Sequence, residues 1–507
     1  MRILFLSAFL ILSSSAFSQT IKFKISGIED TTLNLVRYFG KNLYYADTAD
    51  IKNGVIEFDG SKQKPGMFAL FLPGEQLLEF VYNDEEIFIE STTKHPTSNA
   101  KVKKSVENKI FLNYVSFIGK ERGGINLLVK ERDTLDKDSQ RFKALVKMIK
   151  DKNLGVIDYQ KKLIKTNPDL LISKIIHMSM DIDIPETPVD EKGEPLDPNF
   201  RFTYYQANYF NNVDFKDDRL VNTPIFHTKL QNYFDKTMVQ HWDTVAKYAV
   251  LLCDQLPANS DMLQYTVPWI TNHYQTSKIM GMDKVFVTMG QRYYCEKNAQ
   301  GESKAHWMPE DKLEKLCEQV EKKKNLVMGI VPANISLPDT TDKNWRDFYS
   351  LESEYTVLYF WDPECGHCKK ITPKLQTLYS KKFRERNIEI FAVGKAVGDD
   401  FEKWKAFIKK HNLEFINVAM TDNLYREAKK DPRQFVPRYT TMEALNYQTT
   451  YDIFMTPKLF LLDKDKKIIG KGLNISQLEE FLDRLQGVPD AEKLFPKKDQ
   501  PKDEEIH

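Results

Sequence analysis

Trp361-Asp-Pro-Glu-Cys365-Gly-His-Cys368-Lys-Lys-Ile-Thr-Pro373 sets two cysteines three positions apart, where a strand pattern gives way to a helical one. Ahead of it, Thr356–Trp361 is an apolar, β-prone run; behind it, Cys368–Lys381 has helical spacing. C-x-x-C spacing at such a junction lets two sulfurs meet across one turn, the first exposed at the helix N-terminus and the second further in. Unpaired backbone N–H groups and the helix dipole favour negative charge there. The Cys365 thiol is therefore expected to be acidic, in the range of roughly 3.5–7.5 known for such sites. A thiolate is the species that attacks a disulfide. His367 adds an imidazolium beside it that stabilises the reduced state, and Cys368 is placed to resolve a mixed disulfide. These are the candidate catalytic residues.

A C-x-x-C is also half of a zinc site, which requires a second pair of ligands at similar spacing. There is no second C-x-x-C, and His177, His227, His241, His273 and His306 are scattered singly. They read as surface or packed structural residues. No metal and no cofactor are expected.

Outward from the cysteines, strands and helices alternate. Glu389–Val393 reads as a strand and Asp400–His411 as a helix. Lys458–Leu462 and Lys467–Lys471 form two strands split by the turn Asp463-Lys464-Asp465, and Ser476–Leu485 closes as a helix. That order predicts a central sheet covered on both faces.

Several motifs here resemble a known family. Cys365-Gly366-His367-Cys368 is the tetrapeptide of protein disulfide isomerases, and the helix through Pro373 is similar to that of thioredoxin. Val357-Leu358-Tyr359-Phe360-Trp361 resembles the strand leading into the thioredoxin site. Met455-Thr456-Pro457-Lys458-Leu459-Phe460-Leu461 resembles the segment opposite the cysteines, whose proline is cis. The lead-in Ile335-Ser336-Leu337-Pro338-Asp339 is similar to the TlpA-like branch of exported thioredoxins. The resemblance implies a thioredoxin fold and a protein thiol–disulfide oxidoreductase, either reductase or isomerase. It also implies substrate contacts at Thr456, Pro457 and Trp361. Two positions depart from the family. Tyr359 stands where thioredoxin buries an acid that handles the second thiol's proton. Glu364 replaces the tryptophan before the first cysteine; it either sets a negative charge beside the thiolate or takes over that proton transfer. A thiol peroxidase on the same fold fits less well, because Asp362 stands where that group places a threonine.

The remaining chain is organised around this domain. Residues 1–18 read as a signal peptide: Arg2 is followed by the short apolar run Ile3–Leu12, then Ala16 and Ser18 before Gln19. Residues 19–95 show short alternating runs broken by glycine and proline, which predicts a small antiparallel β-sandwich or barrel. Residues 100–328 turn helical, and 331–487 hold the thioredoxin-like pattern. A charged tail, 488–507, follows, and its stretch Lys497–Glu505 is expected to fray. The fold class is thus multidomain α+β, with a β-rich N-terminal domain, a helical middle and an α/β/α C-terminal domain. The four-proline segment Pro185–Asn199 is a surface loop, either a plain connector or a contact segment. The aromatic run Phe200–Phe210 reads as core. Cys253, Cys295 and Cys317 read as buried small apolar residues, with a disulfide such as Cys295–Cys317 or an exchange role as alternatives.

Seventy-three basic and seventy-two acidic side chains leave a net charge of +1, so nothing electrostatic draws the chain to nucleic acid. No later stretch reaches the ~18 apolar residues of a membrane span. The expectation is an exported protein of the periplasm or cell envelope. Its partners would be cysteine-containing exported proteins and a membrane electron donor. A contrasting expectation is a binding or assembly protein whose thioredoxin module is regulatory or structural, since over three hundred residues precede that module.

Overall fold

The structure is a computed structural model that describes residues 19–489 and 492–496; the expected signal peptide and the stretch from Lys497 onward lie outside it. The chain divides into two compact units. One holds the chain up to Met238 together with Cys253–Thr266, the other Val239–Leu252 together with Val267 onward. The helices between residues 100 and 328 are therefore shared between the two.

The first unit begins with eight strands: β1 (Thr20–Ser26), β2 (Thr31–Phe39), β3 (Asn42–Ile51), β4 (Val55–Asp59), β5 (Gly66–Leu72), β6 (Gln76–Tyr82), β7 (Ile87–Thr92) and β8 (Lys101–Lys104). They form two four-stranded sheets, ordered β4-β1-β7-β8 and β3-β2-β5-β6. Alternate side chains from both sheets (Ile21 and Phe23 from one, Leu35 and Phe68 from the other) share a single core, which makes this a sandwich. It is not wholly antiparallel, as the sequence pattern suggested: β1 and β7 run parallel, with Ile21 opposite Ile87. Sequence periodicity records which face a residue takes, not the direction of its distant partner. The β2–β3 hairpin also escaped the pattern, because β3 is largely exposed. Its turn needs Gly40, which has φ +55° and lies so close to the Tyr265 ring that a Cβ would overlap it.

Two long helices follow, α1 (Val106–Arg132) and α2 (Gln140–Thr166). Their contacts run in opposite directions along the chain: Tyr114 with Gln160, Phe117 with Tyr159 and Glu121 with Lys152. A third, α3 (Leu171–Ser179), has no cap from its own preceding residue. The buried carboxylate of Glu107 accepts from the Leu171 and Ile172 amides instead, at 2.8 and 2.7 Å. The loop at 185–199 is largely exposed and carries one bridge, Val189 to Pro195. The aromatic run is only partly core: Tyr209 is buried whereas Phe202 is exposed.

The second unit contains α4 (Glu310–Lys324), the short strands β9 (Ser336–Pro338) and β10 (Trp345–Asp347), and a five-stranded sheet. That sheet comprises β11 (Tyr355–Trp361), β12 (Ile388–Ala396), β13 (Ile416–Thr421), β14 (Lys458–Leu462) and β15 (Ile468–Lys471) in the order β13-β12-β11-β14-β15. The first three are mutually parallel, and β14 and β15 run antiparallel. β11 is central and mostly apolar or aromatic, as a strand buried on both faces requires, and its buried Thr356 is hydrogen-bonded to Ser353 and Lys466. Val357, Tyr359 and Trp361 face α5 (Gly366–Leu378), α6 (Asp400–His411) and α8 (Ile475–Leu485) through Ile371, Trp404 and Leu478. Leu358 and Phe360 join the opposite core with Leu337, Phe348 and Tyr451. β13 and α7 (Asp422–Lys430), unread in the sequence, extend the sheet and lead into the segment before β14.

Cys295 and Cys317 form a disulfide that ties the turn Gly290–Cys295 to α4, which corrects the reading of both as buried thiols. Cys253 is buried and free, and burial pushes its thiol pKa up. The chain just beyond α8 is fastened down, whereas the stretch expected to fray lies outside the described residues. The amides of Leu494 and Phe495 donate to Glu479 on α8, at 2.8 and 3.0 Å.

Candidate active site

β11 ends at Trp361 and α5 begins at Gly366, so the intervening turn delivers Cys365 to the helix N-cap in an extended conformation (φ −68°, ψ 125°). Its thiol is half-buried and donates to the Thr456 carbonyl at 3.2 Å. The Thr456–Pro457 peptide is cis. That carbonyl accepts from the sulfur only while it is protonated. Partial burial opposes ionisation of Cys365, but the amides of Cys368 and His367 and the Thr456 and Cys368 side chains outweigh it. Its pKa accordingly lies below the ordinary thiol value of 9.0.

Cys368, one turn on, is fully buried, and burial pushes its pKa up to about 12. The Asp362 amide reaches its sulfur at 3.5 Å. One sulfur is thus accessible and acidic, the other enclosed and protonated. Both are free thiols.

Tyr359 lies fully buried behind Cys368, its hydroxyl 2.9 Å from the Thr372 hydroxyl. Burial and the nearby Cys368 hold the phenol well above its ordinary pKa of 10.0, so it offers a hydrogen bond rather than a base. Tyr359→Phe leaves the buried Thr372 hydroxyl without this partner. The expected cost is about 1–2 kcal/mol by urea denaturation, with the alkylation profile of Cys365 unchanged.

Glu364 is not the bare repulsive charge that the sequence suggested. Lys369 and Lys403 flank its carboxylate at 3.5 and 3.4 Å. Asp362 is likewise paired with Lys395 at 3.3 Å, and Lys395 in turn with Asp400 at 3.1 Å. Such exposed pairs add little stability, but they cancel most of the negative charge beside the thiolate. Lys395 and Lys403 come from β12 and the start of α6, more than thirty residues downstream, so local sequence held no sign of them.

Of the other expected site residues, His367 is exposed on the first turn of α5, Thr456 is half-buried against Cys365, and Pro457 is buried. Trp361 does not reach the surface. It is 1% exposed and packs on Phe407 with ring centroids 5.1 Å apart, so it supports the site from the core and presents nothing to a substrate. Among the described residues, no group of three His, Cys, Asp or Glu is arranged to hold a metal ion. No described helix is long and apolar enough to cross a membrane.

A parallel β11-β12-β13 core with an antiparallel β14-β15 edge, two sulfurs at the head of α5 and a cis-proline facing them is a recurrent arrangement. A family model described as thioredoxin-like matches residues 353–468. This segment is a thioredoxin-like domain. Two further models, both of domains of unknown function, match residues 19–111 and 171–324. The thioredoxin-like domain is similar to the thiol-disulfide oxidoreductase ResA of Bacillus cereus, at 26% identity over 167 residues, 32% of this chain and 81% of that protein. Among solved structures, a domain of a possible thiol-disulfide isomerase from Cytophaga hutchinsonii is 30% identical, with 33% of this chain and 97% of that one covered and a TM-score of 0.25. A thioredoxin-like protein from Bacteroides caccae is 16% identical, with 60% and 98% covered and a TM-score of 0.40. The relatives named as oxidoreductases support a redox enzyme as the kind of activity this domain carries.

Proposed function

We propose that the chain is an exported thiol–disulfide oxidoreductase of the cell envelope that exchanges disulfides in cysteine-containing exported proteins. The observation that carries this reading is the asymmetry of the two thiols. Cys365 is accessible and acidic, whereas Cys368 is enclosed and held protonated to about 12.

In the reducing direction, the Cys365 thiolate attacks one sulfur of a substrate disulfide. The Cys365–substrate S–S bond forms, the substrate's own S–S bond breaks, and its departing thiolate takes a proton. Cys368, on losing its proton, attacks the Cys365 sulfur. A Cys365–Cys368 disulfide then forms, and the second substrate thiol leaves. Two electrons pass from the dithiol to the substrate, and a dithiol donor at the membrane would restore the pair. Run only as far as the mixed disulfide and back, the same steps isomerise. His367, next to the nucleophile, would tune the balance between these outcomes.

The test is the reduction potential of the Cys365–Cys368 couple, measured by glutathione titration. A value near −270 mV marks a reductase, and one of about −180 mV or higher an isomerase or oxidase. Failure of the two thiols to form an intramolecular disulfide at any glutathione ratio would sink the proposal.

A further inference from the structure

We propose that the outer face of α2 is a docking surface for an anionic phospholipid bilayer, met by Lys143, Lys147, Lys150 and Lys165 as one line of charge. The proposal goes beyond the exchange chemistry and concerns where the chain is held.

The whole-chain charge of +1 conceals an uneven distribution. Helix α2, 27 residues long, holds eight basic side chains and two acidic ones. Helix α4, by contrast, balances five of each. A helix turns about 100° per residue, so positions 143, 147, 150, 154, 161 and 165 of α2 fall within a sector of about 60°. All six are exposed; five are lysine, and the sixth is Leu154. Lys152, Tyr159 and Gln160, which fasten α2 to α1, project from the other side. The stripe runs about 33 Å at about 1.5 Å per residue.

Its charge is largely uncompensated. Lys161 pairs with Asp183 at 3.1 Å, but among the described residues Lys143, Lys147, Lys150 and Lys165 have no ion-pair partner. Lys143 and Lys147, and Lys161 and Lys165, are four positions apart, where like charges repel and weaken a helix. A surface that serves solubility alone intersperses the two signs, as α4 does. The stripe concentrates one sign at a cost to its own helix, which makes it the complement of an extended anionic surface.

Residue type and shape select the kind of surface. Lysine ammonium groups are hydrated point charges that suit a diffuse field. Arginine, whose planar fork recognises single phosphates or carboxylates in fixed geometry, is absent from the stripe. So is any aromatic ring on which a nucleic-acid base could stack. The outer side of a helix is convex; a plane meets it along its length, whereas a folded protein must present a matching groove. Leu154 at mid-stripe is 48% exposed and Val146 at its edge 43%, which gives the charged line two apolar contacts for the headgroup region. The turn joining α1 to α2 is acidic on balance, with Asp136 and Asp138 flanking Lys137, so the hairpin lies along the bilayer rather than entering it tip first.

The experiment floats the chain from Gln19 onward, without the expected signal peptide, on vesicles of phosphatidylglycerol and phosphatidylcholine in equal parts, and on phosphatidylcholine alone. It is compared with K143Q/K147Q/K150Q/K165Q and with K312Q/K315Q/K409Q/K410Q, which removes the same charge from exposed lysines of α4 and α6. Each lysine near an anionic surface is worth about fivefold in partitioning, so the stripe variant should bind mixed vesicles at least about a hundredfold more weakly. The second variant should stay within about threefold of the unsubstituted protein. Binding of the unsubstituted protein should also fall steeply between about 0.05 and 0.5 M salt, a test that needs no variant. Binding to neither vesicle, or equally to both, overturns the proposal. Equal losses in the two variants overturn it as well, because net charge alone would then explain the binding. A protein that ignores the vesicles but binds polyglutamate makes the occupant an acidic polypeptide and overturns the bilayer.

Discussion

Cys365→Ser is expected to reduce thiol–disulfide exchange to the uncatalysed rate, whereas Cys368→Ser keeps the first step and accumulates mixed disulfides with protein substrates. The difference follows from burial. Cys365 is the sulfur a substrate can reach, and its lowered pKa raises the thiolate fraction near neutrality. Cys368 is enclosed beneath it and serves only once the first bond has formed. Alkylation with iodoacetamide across pH separates the two. In Cys368→Ser, the residual site thiol reacts with a midpoint below 9.0. In Cys365→Ser, it reacts only toward a midpoint of about 12. If Cys368→Ser captured no protein from an envelope extract, a polypeptide substrate would be ruled out.

The second large effect concerns stability. Asp483 on α8 is fully buried and accepts from Lys382 at 3.2 Å, Arg386 at 2.6 Å and Lys493. Asp483→Asn removes the carboxylate that all three cations share: Lys382 keeps Glu479 at 2.7 Å, while Arg386 and Lys493 lose their paired charge. Breaking a buried ion pair from one side costs about 3–5 kcal/mol, a large share of the roughly 5–15 kcal/mol that holds a domain folded. The effect should appear as a matching loss in the urea unfolding free energy of the second unit.

Its pH dependence has a definite sign. Burial alone would raise the Asp483 pKa, but the bonds from Lys493, Arg386 and Lys382 outweigh it and hold the carboxyl below its ordinary 3.8. A depressed folded-state pKa means that the stabilisation is complete above the unfolded value and is lost as pH falls through the folded one. The gap between the unsubstituted protein and Asp483→Asn should therefore be constant from pH 5 to 8 and should close below about pH 4. A gap that widens in acid would place the stabilising interaction elsewhere.

The same contrast between local and distant causes separates what was legible from what was not. Helix α6 and strand β14 are legible to the residue, because each announces itself by periodicity and by the turns at its ends. The cysteine pair and the helix behind it are legible for the same reason, whereas Thr456-Pro457 stands out only through the resemblance of its segment to the thioredoxin family. β13 was missed because its short, buried, apolar run has no periodicity of its own to mark it. Trp361 ends a strand next to the cysteines, yet only the packing of Phe407 shows that its ring turns inward.

By itself, then, the sequence determined that a strand meets a helix at Cys365 and that a β-rich part precedes a helical one. Those are properties of backbone preference and hydrophobic period, which act over a few residues. Tertiary structure alone decided that β1 runs parallel to β7, that Cys295 bonds Cys317, and that Lys403 cancels the charge of Glu364. It also decided that Glu479 fastens the chain beyond α8. Each of these joins groups from separate elements, and the interactions that bring them together arise only when the apolar faces of whole elements pack.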